Sequence, residues 1–221
     1  MYGILISVGI LLSLLVAERL VDERDTFWGL SFWTILGGVL GSRLYHVADY
    51  YTYYAQNPIK ILFLWEGGLG IIGAIVGGTI ATIIYLSIKR KKIKPWLDVI
   101  ATVTPLGQSI GRWGNYFNKE IHGSQTNLPW GIYSPKVHPL FLYESILDFG
   151  LFILLYWLFK KRNSKSNLEI YLILYATIRL SLEPLRMGLN TWEIRGVNVA
   201  QIISLAVILL VGLYLIRKSR K

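Results

Sequence analysis

The chain contains no cysteine in its 221 residues. This absence excludes disulfides, thiolate metal sites and a nucleophilic cysteine supplied by the chain itself. Histidine is also rare, with only His46, His122 and His138, and none of the three has a second histidine close by in the sequence. We therefore expect neither a metal nor an organic cofactor.

Charged residues are scarce as well, at 16% of the chain, whereas hydrophobic residues make up 53% and the mean hydropathy is +0.47. Such a composition is typical of membrane proteins and argues against a soluble chain. The apolar stretch from Met1 to Ala17 lacks the basic start and the small-residue cleavage site of a signal peptide. We interpret it as a first membrane helix.

The apolar residues concentrate in seven segments, near residues 2–17, 26–46, 67–88, 96–118, 138–159, 168–187 and 197–216. A spanning helix needs about 20 mostly apolar residues, and most of these segments come close to that length. We therefore predict an all-α, polytopic membrane protein with about seven transmembrane helices. We expect one membrane-embedded domain over residues 1–221, with a small outer-face segment around residues 119–137.

The basic residues are distributed unevenly between the ends of these segments. They cluster within residues 19–24, 89–94, 160–165 and 217–221, after the first, third, fifth and seventh segments. The positive-inside rule then places the N-terminus outside and the C-terminus in the cytoplasm. The net charge of +10 is thus a topology signal, and we expect no nucleic-acid partner. The opposite connections carry only Lys60, Lys119, Lys136 and Arg195.

The remaining basic residues all lie within or at the ends of apolar segments, and all are arginines: Arg43, Arg112, Arg179 and Arg186. A charge at bilayer depth costs at least roughly 2.5–3.5 kcal/mol, so it normally faces protein or water and has a function. The absence of lysine from this set favours planar, bidentate recognition of an oxyanion. For Arg43 and Arg186, which are near segment ends, an ion-paired or snorkelling role is equally open. Acidic residues inside apolar segments are Asp98, Glu144, Asp148 and Glu183.

Helical spacing groups the charges of the sixth segment. Tyr175, Arg179, Glu183 and Arg186 are separated by multiples of about one turn, which predicts that they share one helix face. Glu183 is then expected to hold Arg179, with the Tyr175 hydroxyl one turn away. Pro184 is expected to kink the helix beside this site.

The fourth segment combines Arg112 and Asn115 with Gly111 and Gly114, which permit close approach of a helix or a ligand. This combination predicts a polar pocket. The paired glycines after Glu66 favour a loop or a broken helix end.

Residues 111–123 resemble the signature G-R-x-G-N-[FY]-x-N-x-E-x-x-G of the bacterial prolipoprotein diacylglyceryl transferases, with every fixed position present. The resemblance covers nearly the whole chain. Supporting matches are Tyr2-Gly3, residues 41–46, residues 65–68, Asp98 with Pro105, His138-Pro139 with residues 142–144, and residues 175–179 with Glu183 and Arg186.

The resemblance implies a seven-helix enzyme of the bacterial plasma (inner) membrane, with its active site towards the outer leaflet. Such an enzyme transfers the diacylglyceryl group of phosphatidylglycerol to the lipobox cysteine of a prolipoprotein signal peptide, forming a thioether and releasing glycerol-1-phosphate. We expect it to act as a monomer in the lipid bilayer. The resemblance also implies Arg112 and Arg179 as catalytic residues, and as substrate-binding residues Arg112, Asn115, Asn118, Glu120, Gly123, Tyr2, Tyr175, Glu183 and Glu144.

Three departures from the family pattern bear on the chemistry. Ile72 stands where many members have a histidine that is a candidate general base, so the base is left unassigned. Leu140 and Phe141 replace a polar pair, and Pro184 replaces an aromatic residue. One alternative is therefore a divergent member that binds lipid or prolipoprotein with weak or no catalysis. Another is a transporter, although no internal repeat is apparent.

Overall fold

The computed structural model describes residues 2–120, 122–162, 166–187, 193–194 and 197–219. Long helices dominate this part of the chain, which confirms the all-α class. The helices are α1 (Tyr2–Glu18), α2 (Arg24–Asp49), α3 (Tyr51–Gln56), α4 (Ile71–Ile88), α5 (Ile93–Phe117), α6 (Leu140–Arg162), α7 (Asn167–Leu182) and α8 (Val199–Ser219). Short 3₁₀ turns cover Pro58–Leu62, Leu64–Glu66 and Glu183–Leu185.

Four very short strands form two antiparallel pairs. Strand β1 (His122–Gly123) pairs with β2 (Arg186–Met187), and β3 (Glu193–Ile194) pairs with β4 (Val197–Asn198). The β1–β2 pair ties the segment after α5 to the chain that leaves α7. This link brings Gly123 opposite Arg186.

Each of the seven predicted apolar segments coincides with a long helix, α1, α2 and α4 to α8. Three of these, α4, α6 and α8, are long and apolar enough by length and composition to cross a membrane. The apolar helix α1 is shorter. The two glycines after Glu66 lie outside the helices with positive φ angles of 86° and 72°, as the predicted loop requires.

The chain divides into two compact units, residues 21–96 and residues 1–20 with 97–221. In the first, α2 and α4 pack antiparallel through glycines. A methyl group added at Gly41 would collide with the carbonyl oxygen of Gly73, and one added at Gly77 would collide with that of Gly37. Small residues of this kind let two helix backbones approach closely. The Thr34 and Thr82 hydroxyls add a hydrogen bond of 2.7 Å between the same helices.

Arg43, near the outer end of α2 in the predicted topology, is 5% exposed and anchors the segment that follows. Its guanidinium donates to five backbone carbonyls, those of Lys60, Ile61, Phe63, Gly67 and Gly68. This segment consists of short 3₁₀ turns and a glycine pair, and a buried guanidinium can bind carbonyls that such turns leave accessible. Arg43 therefore makes a structural contact with backbone carbonyls, a role that was not among those considered from the sequence.

In the second unit, the ends of α5, α6 and α7 are joined by buried polar contacts. Asp98 of α5 accepts a hydrogen bond of 2.9 Å from the Leu168 backbone and so caps the first turn of α7. Asn167 is fully buried and donates to the Thr102 hydroxyl and to the Leu155 carbonyl, both at 2.8 Å. Asp98 therefore has a structural role.

The predicted single helix face from Tyr175 to Arg186 is wrong in its last part. Helix α7 ends at Leu182, Pro184 lies in a 3₁₀ turn, and Arg186 begins β2. Proline has no backbone N–H to continue the helix ladder, so it ends the helix here instead of kinking it.

Candidate active site

The centre of the candidate site is the carboxylate of Glu144, which is 1% exposed and lies on the first turns of α6. Three arginines from three different elements contact it. Arg112 Nη1 of α5 is 3.2 Å from Oε2, Arg179 Nη1 of α7 is 3.1 Å from Oε1, and Arg186 Nη2 of β2 is 2.6 Å from Oε1. One buried carboxylate therefore fixes three guanidinium groups around itself.

Glu183 is a second shared carboxylate at the end of α7. Its Oε2 lies 2.8 Å from Arg179 Nη2 and 3.3 Å from Arg186 Nε. Its Oε1 accepts a hydrogen bond of 3.0 Å from Asn198 Nδ2. The predicted contact between Glu183 and Arg179 is present. Because each of these two arginines has two carboxylate partners, both guanidiniums are held in fixed orientations.

Arg112 has further contacts besides Glu144. Its Nη2 donates to the Tyr175 hydroxyl at 3.3 Å, and its Nε lies 3.8 Å from Oδ2 of Asp148. Tyr175 stacks on Tyr171 with ring centroids 5.6 Å apart. The sequence predicted the Tyr175 hydroxyl one turn from Arg179, and in the structure this hydroxyl accepts a hydrogen bond from Arg112 of α5.

Formal charges balance within this cluster. Three arginines face three buried carboxylates, Glu144, Glu183 and Asp148.

Sequence reasoning recognised Asp148 as a charge inside an apolar segment but did not assign it to the site. The signal that would have found it is its spacing of four residues from Glu144, which puts both carboxylates on one face of α6. Arg186 was likewise flagged but not placed in the site.

The polar residues of the family signature, which covers residues 111–123, lie at and beyond the end of α5. Asn115, one turn after Arg112, is 5% exposed, and its carbonyl accepts a hydrogen bond of 2.9 Å from the backbone of Glu120. Asn118 Nδ2 donates to Glu120 Oε1 at 3.2 Å, and both side chains are exposed. Asn118 and Glu120 therefore form the turn that follows α5, and the predicted substrate-binding role of this pair stays a prediction.

The glycines of the signature run have different surroundings. A methyl group at Gly123 would collide with His138, so this glycine allows β1 to pass close to the chain that enters α6. A methyl group at Gly111 would meet no atom of the described residues within 4 Å. Gly111 is therefore not a packing contact, and the space beside it is open. Tyr2 begins α1, and its side chain lies outside the described part of the structure.

The sequence pattern of the prolipoprotein diacylglyceryl transferase family matches residues 1–217. The chain belongs to this family. It is 38% identical to the phosphatidylglycerol–prolipoprotein diacylglyceryl transferase of Clostridioides difficile, over 99% of this chain and 92% of the relative. Proteins of the same name from Finegoldia magna and Trichormus variabilis are 39% and 37% identical, over 94% and 92% of this chain and 86% and 80% of the relatives. The family predicted from the signature run is confirmed.

In this prolipoprotein diacylglyceryl transferase, Ile72, the predicted departure from the family pattern, lies in the first turn of α4. Its apolar side chain cannot accept a proton. The three histidines all contact tyrosine rings: His46 with Tyr50 and Tyr54, His122 with Tyr133, and His138 with Tyr143. None of these contacts identifies a general base.

Phe141, the second predicted departure, lies in α6 and packs against aromatic residues of α5. Its ring lies 5.3 Å from that of Trp113 and 4.8 Å from that of Tyr116, between centroids. Trp113 also donates to the Ser145 hydroxyl at 3.2 Å. The aromatic residue in this position therefore joins α5 and α6 next to Arg112 and Glu144.

Proposed function

We propose that this protein transfers the diacylglyceryl group of phosphatidylglycerol to the lipobox cysteine of prolipoproteins. The observation that carries the proposal is the convergence of Arg112 and Arg179, from two helices, on the two oxygens of one carboxylate. A phosphodiester also presents two anionic oxygens on one centre. Family membership over residues 1–217, with relatives named for this reaction, gives the same function.

The reaction forms one carbon–sulfur bond, breaks one carbon–oxygen bond and releases the proton of the thiol. The cysteine sulfur attacks the glycerol carbon that carries the phosphate oxygen, the carbon–oxygen bond breaks, and a thioether forms as glycerol-1-phosphate departs. The thiol, with an ordinary pKa of about 8.5, loses its proton to become a good nucleophile. The phosphate gains negative charge, and fixed donors on its oxygens stabilise that charge where water is scarce.

In this scheme the two catalytic arginines have separate roles. Arg112, with Asn115 one turn away, binds the phosphoglycerol headgroup. Arg179, oriented by Glu183 at 2.8 Å, offsets the charge that develops on the leaving phosphate. Arginine suits both roles because its planar fork can pair with two phosphate oxygens at once. Tyr175 supports Arg112 through its hydroxyl.

In this scheme the phosphate takes the place of Glu144 at the two guanidiniums, whose contacts with this carboxylate are 3.2 and 3.1 Å long. Glu144 still has Arg186 at 2.6 Å after such an exchange. The exchange therefore leaves no buried charge without a partner, which would otherwise be strongly unfavourable. The open space beside Gly111, one residue before Arg112, is consistent with approach of a ligand to this side of α5.

The membrane arrangement that we propose has seven spanning helices in a single domain, with the N-terminus outside and the C-terminus in the cytoplasm. The distribution of basic residues supports this orientation. It puts the C-terminal end of α5 and the N-terminal end of α6, where the site lies, towards the outer leaflet of the inner membrane. We propose that the protein acts as a monomer.

The decisive experiment incubates the purified protein with phosphatidylglycerol vesicles and a peptide that contains a lipobox cysteine. We expect the peptide to gain the mass of one diacylglyceryl group at its cysteine, and a peptide with serine in that position to gain none. Rescue of a bacterium depleted of its own transferase tests the same function in cells. Lipid binding without alkylation of the peptide would instead favour the alternative of a divergent, catalytically weak family member.

A further inference from the structure

Asp148 is the most unusual acidic residue of the site, because it is fully buried and poorly paired. It is 0% exposed, and neither of its carboxylate oxygens has a hydrogen-bond partner among the described residues. The nearest ion-pair contact, Arg112 Nε at 3.8 Å, is too long for a hydrogen bond. Burying a charged oxygen without a hydrogen bond is unfavourable, so this arrangement calls for a functional explanation.

The relation of Asp148 to Glu144 suggests that explanation. The two carboxylates are one turn apart on α6 and contact different atoms of the same guanidinium. Glu144 is 3.2 Å from Nη1 of Arg112, whereas Asp148 is 3.8 Å from its Nε. The donors of a guanidinium have fixed directions, so one carboxylate can stay beside Nε while Nη1 exchanges its partner.

We propose that Asp148 is a positioning residue, which holds Arg112 through Nε when the phosphate of the lipid displaces Glu144 from Nη1. This inference rests on the proposed function and deepens it by assigning a residue to the exchange. In the structure, Nη1 of Arg112 is 3.2 Å from Glu144, and its Nε is 3.8 Å from Asp148. When the phosphate binds, Arg112 shifts towards Asp148 and forms a hydrogen bond there.

Both carboxylates remain compensated during this exchange. Glu144 keeps Arg186, at 2.6 Å, when Arg112 and Arg179 turn to the phosphate. Arg112 keeps a negative partner on its Nε side, which orients the guanidinium towards the headgroup. Without Asp148, Arg112 would lose the carboxylate beside its Nε when the phosphate takes the place of Glu144 at Nη1.

The test compares Asp148→Asn and Asp148→Glu with the wild type in the transfer assay, with phosphatidylglycerol and the lipobox peptide each varied in turn. Asn keeps the shape but removes the charge. Misplacement of a substrate-binding group by about 1 Å can cost on the order of a hundredfold in rate. We expect Asp148→Asn to lower kcat/KM for phosphatidylglycerol by about 10- to 100-fold, largely through KM. The KM for the peptide should stay unchanged.

Asp148→Glu restores the charge, and we expect it to recover most of the lost kcat/KM for phosphatidylglycerol. Asp98→Asn is the matched control, because Asp98 is also a buried carboxylate on a helix of the same unit but caps α7. We expect this control to lower thermal stability in detergent and to leave the KM for phosphatidylglycerol unchanged. If Asp148→Asn is not recovered in folded form, Asp148→Glu carries the test. A KM for phosphatidylglycerol within about threefold of wild type then supports the proposal, and a larger increase overturns it.

Failure of the inference is distinguishable from failure of the proposed function. Wild-type protein that does not alkylate the peptide refutes the function itself. Active wild type with an Asp148→Asn variant of equal KM and kcat refutes only the role of Asp148. A variant with a lower kcat, unchanged KM values for both substrates and lower thermal stability would make Asp148 a purely structural residue. That result would also overturn the proposal.

Discussion

Arg112 on α5 and Arg179 on α7 contact different oxygens of the Glu144 carboxylate, at 3.2 and 3.1 Å. The two arginines are far apart in the sequence, yet their guanidiniums face one small anionic group. In the proposed function, these two guanidiniums bind the phosphate of the lipid. The first two predictions follow from this relationship.

Replacing either arginine by lysine should remove the planar fork and retain the positive charge. We expect Arg112→Lys and Arg179→Lys each to lower the rate of diacylglyceryl transfer by about 10²- to 10³-fold, as for the loss of one fixed donor to a developing oxyanion. The measurement is initial rate with phosphatidylglycerol and lipobox peptide, at matched amounts of folded protein. Full activity of both variants would refute the proposed arginine pair.

Glu144→Gln tests the structural side of the same cluster. Three guanidiniums would then share only Glu183 and Asp148, which leaves positive charge buried without compensation. Breaking a buried ion pair on one side costs about 3–5 kcal/mol, and we expect a loss of this order in the free energy of unfolding in detergent. Glu120→Gln serves as the control, because Glu120 is exposed and should change stability by about 0.5 kcal/mol or less. Equal stability of the two variants would contradict the assignment of Glu144 as the central anion.

The glycine contact between α2 and α4 gives a prediction about folding. A side chain at Gly41 would collide with the backbone of Gly73 and Gly77, whereas one at Gly150 of α6 would meet no described atom within 4 Å. We expect Gly41→Ala to destabilise the protein by about 1–3 kcal/mol, because the helices must separate. Gly150→Ala should be neutral or stabilise by up to about 1 kcal/mol, because alanine favours a helix. Thermal unfolding of the two variants in detergent measures the difference, and a tolerated alanine at Gly41 would be inconsistent with the described packing.

Arg43 gives a prediction about local order. Lysine at this position cannot donate in the several directions that reach Lys60, Phe63 and Gly67. We expect Arg43→Lys to speed amide hydrogen exchange and proteolytic cleavage within residues 57–70, since their carbonyls lose a common partner. Exchange in α8 is the internal control and should be unchanged. If residues 57–70 were as protected as in the wild type, the anchoring role of Arg43 would be wrong.

Much of the fold could be predicted from the sequence because the bilayer restricts what a spanning chain can do. Backbone groups in lipid are satisfied within helices, so long apolar segments are expected to be helices, and each of the seven predicted segments contains a long helix. Charges are so unfavourable at bilayer depth that Arg112, Arg179 and Glu144 stand out as functional candidates in the sequence alone. The signature of residues 111–123 was specific enough to identify the family, which the comparison confirms.

Only the tertiary structure decided which of these charges meet. Helical spacing correctly paired Glu183 with Arg179, because that contact lies within one helix. It could not reveal that Glu144 is shared by three arginines or that Asp148 lies beside Arg112. Those contacts depend on how α5, α6 and α7 pack and on Pro184, which ends α7 and directs Arg186 back to Glu144 through β2. Local sequence determines which residues share a helix face, whereas long-range packing determines which faces meet, and in this protein the packing makes the site.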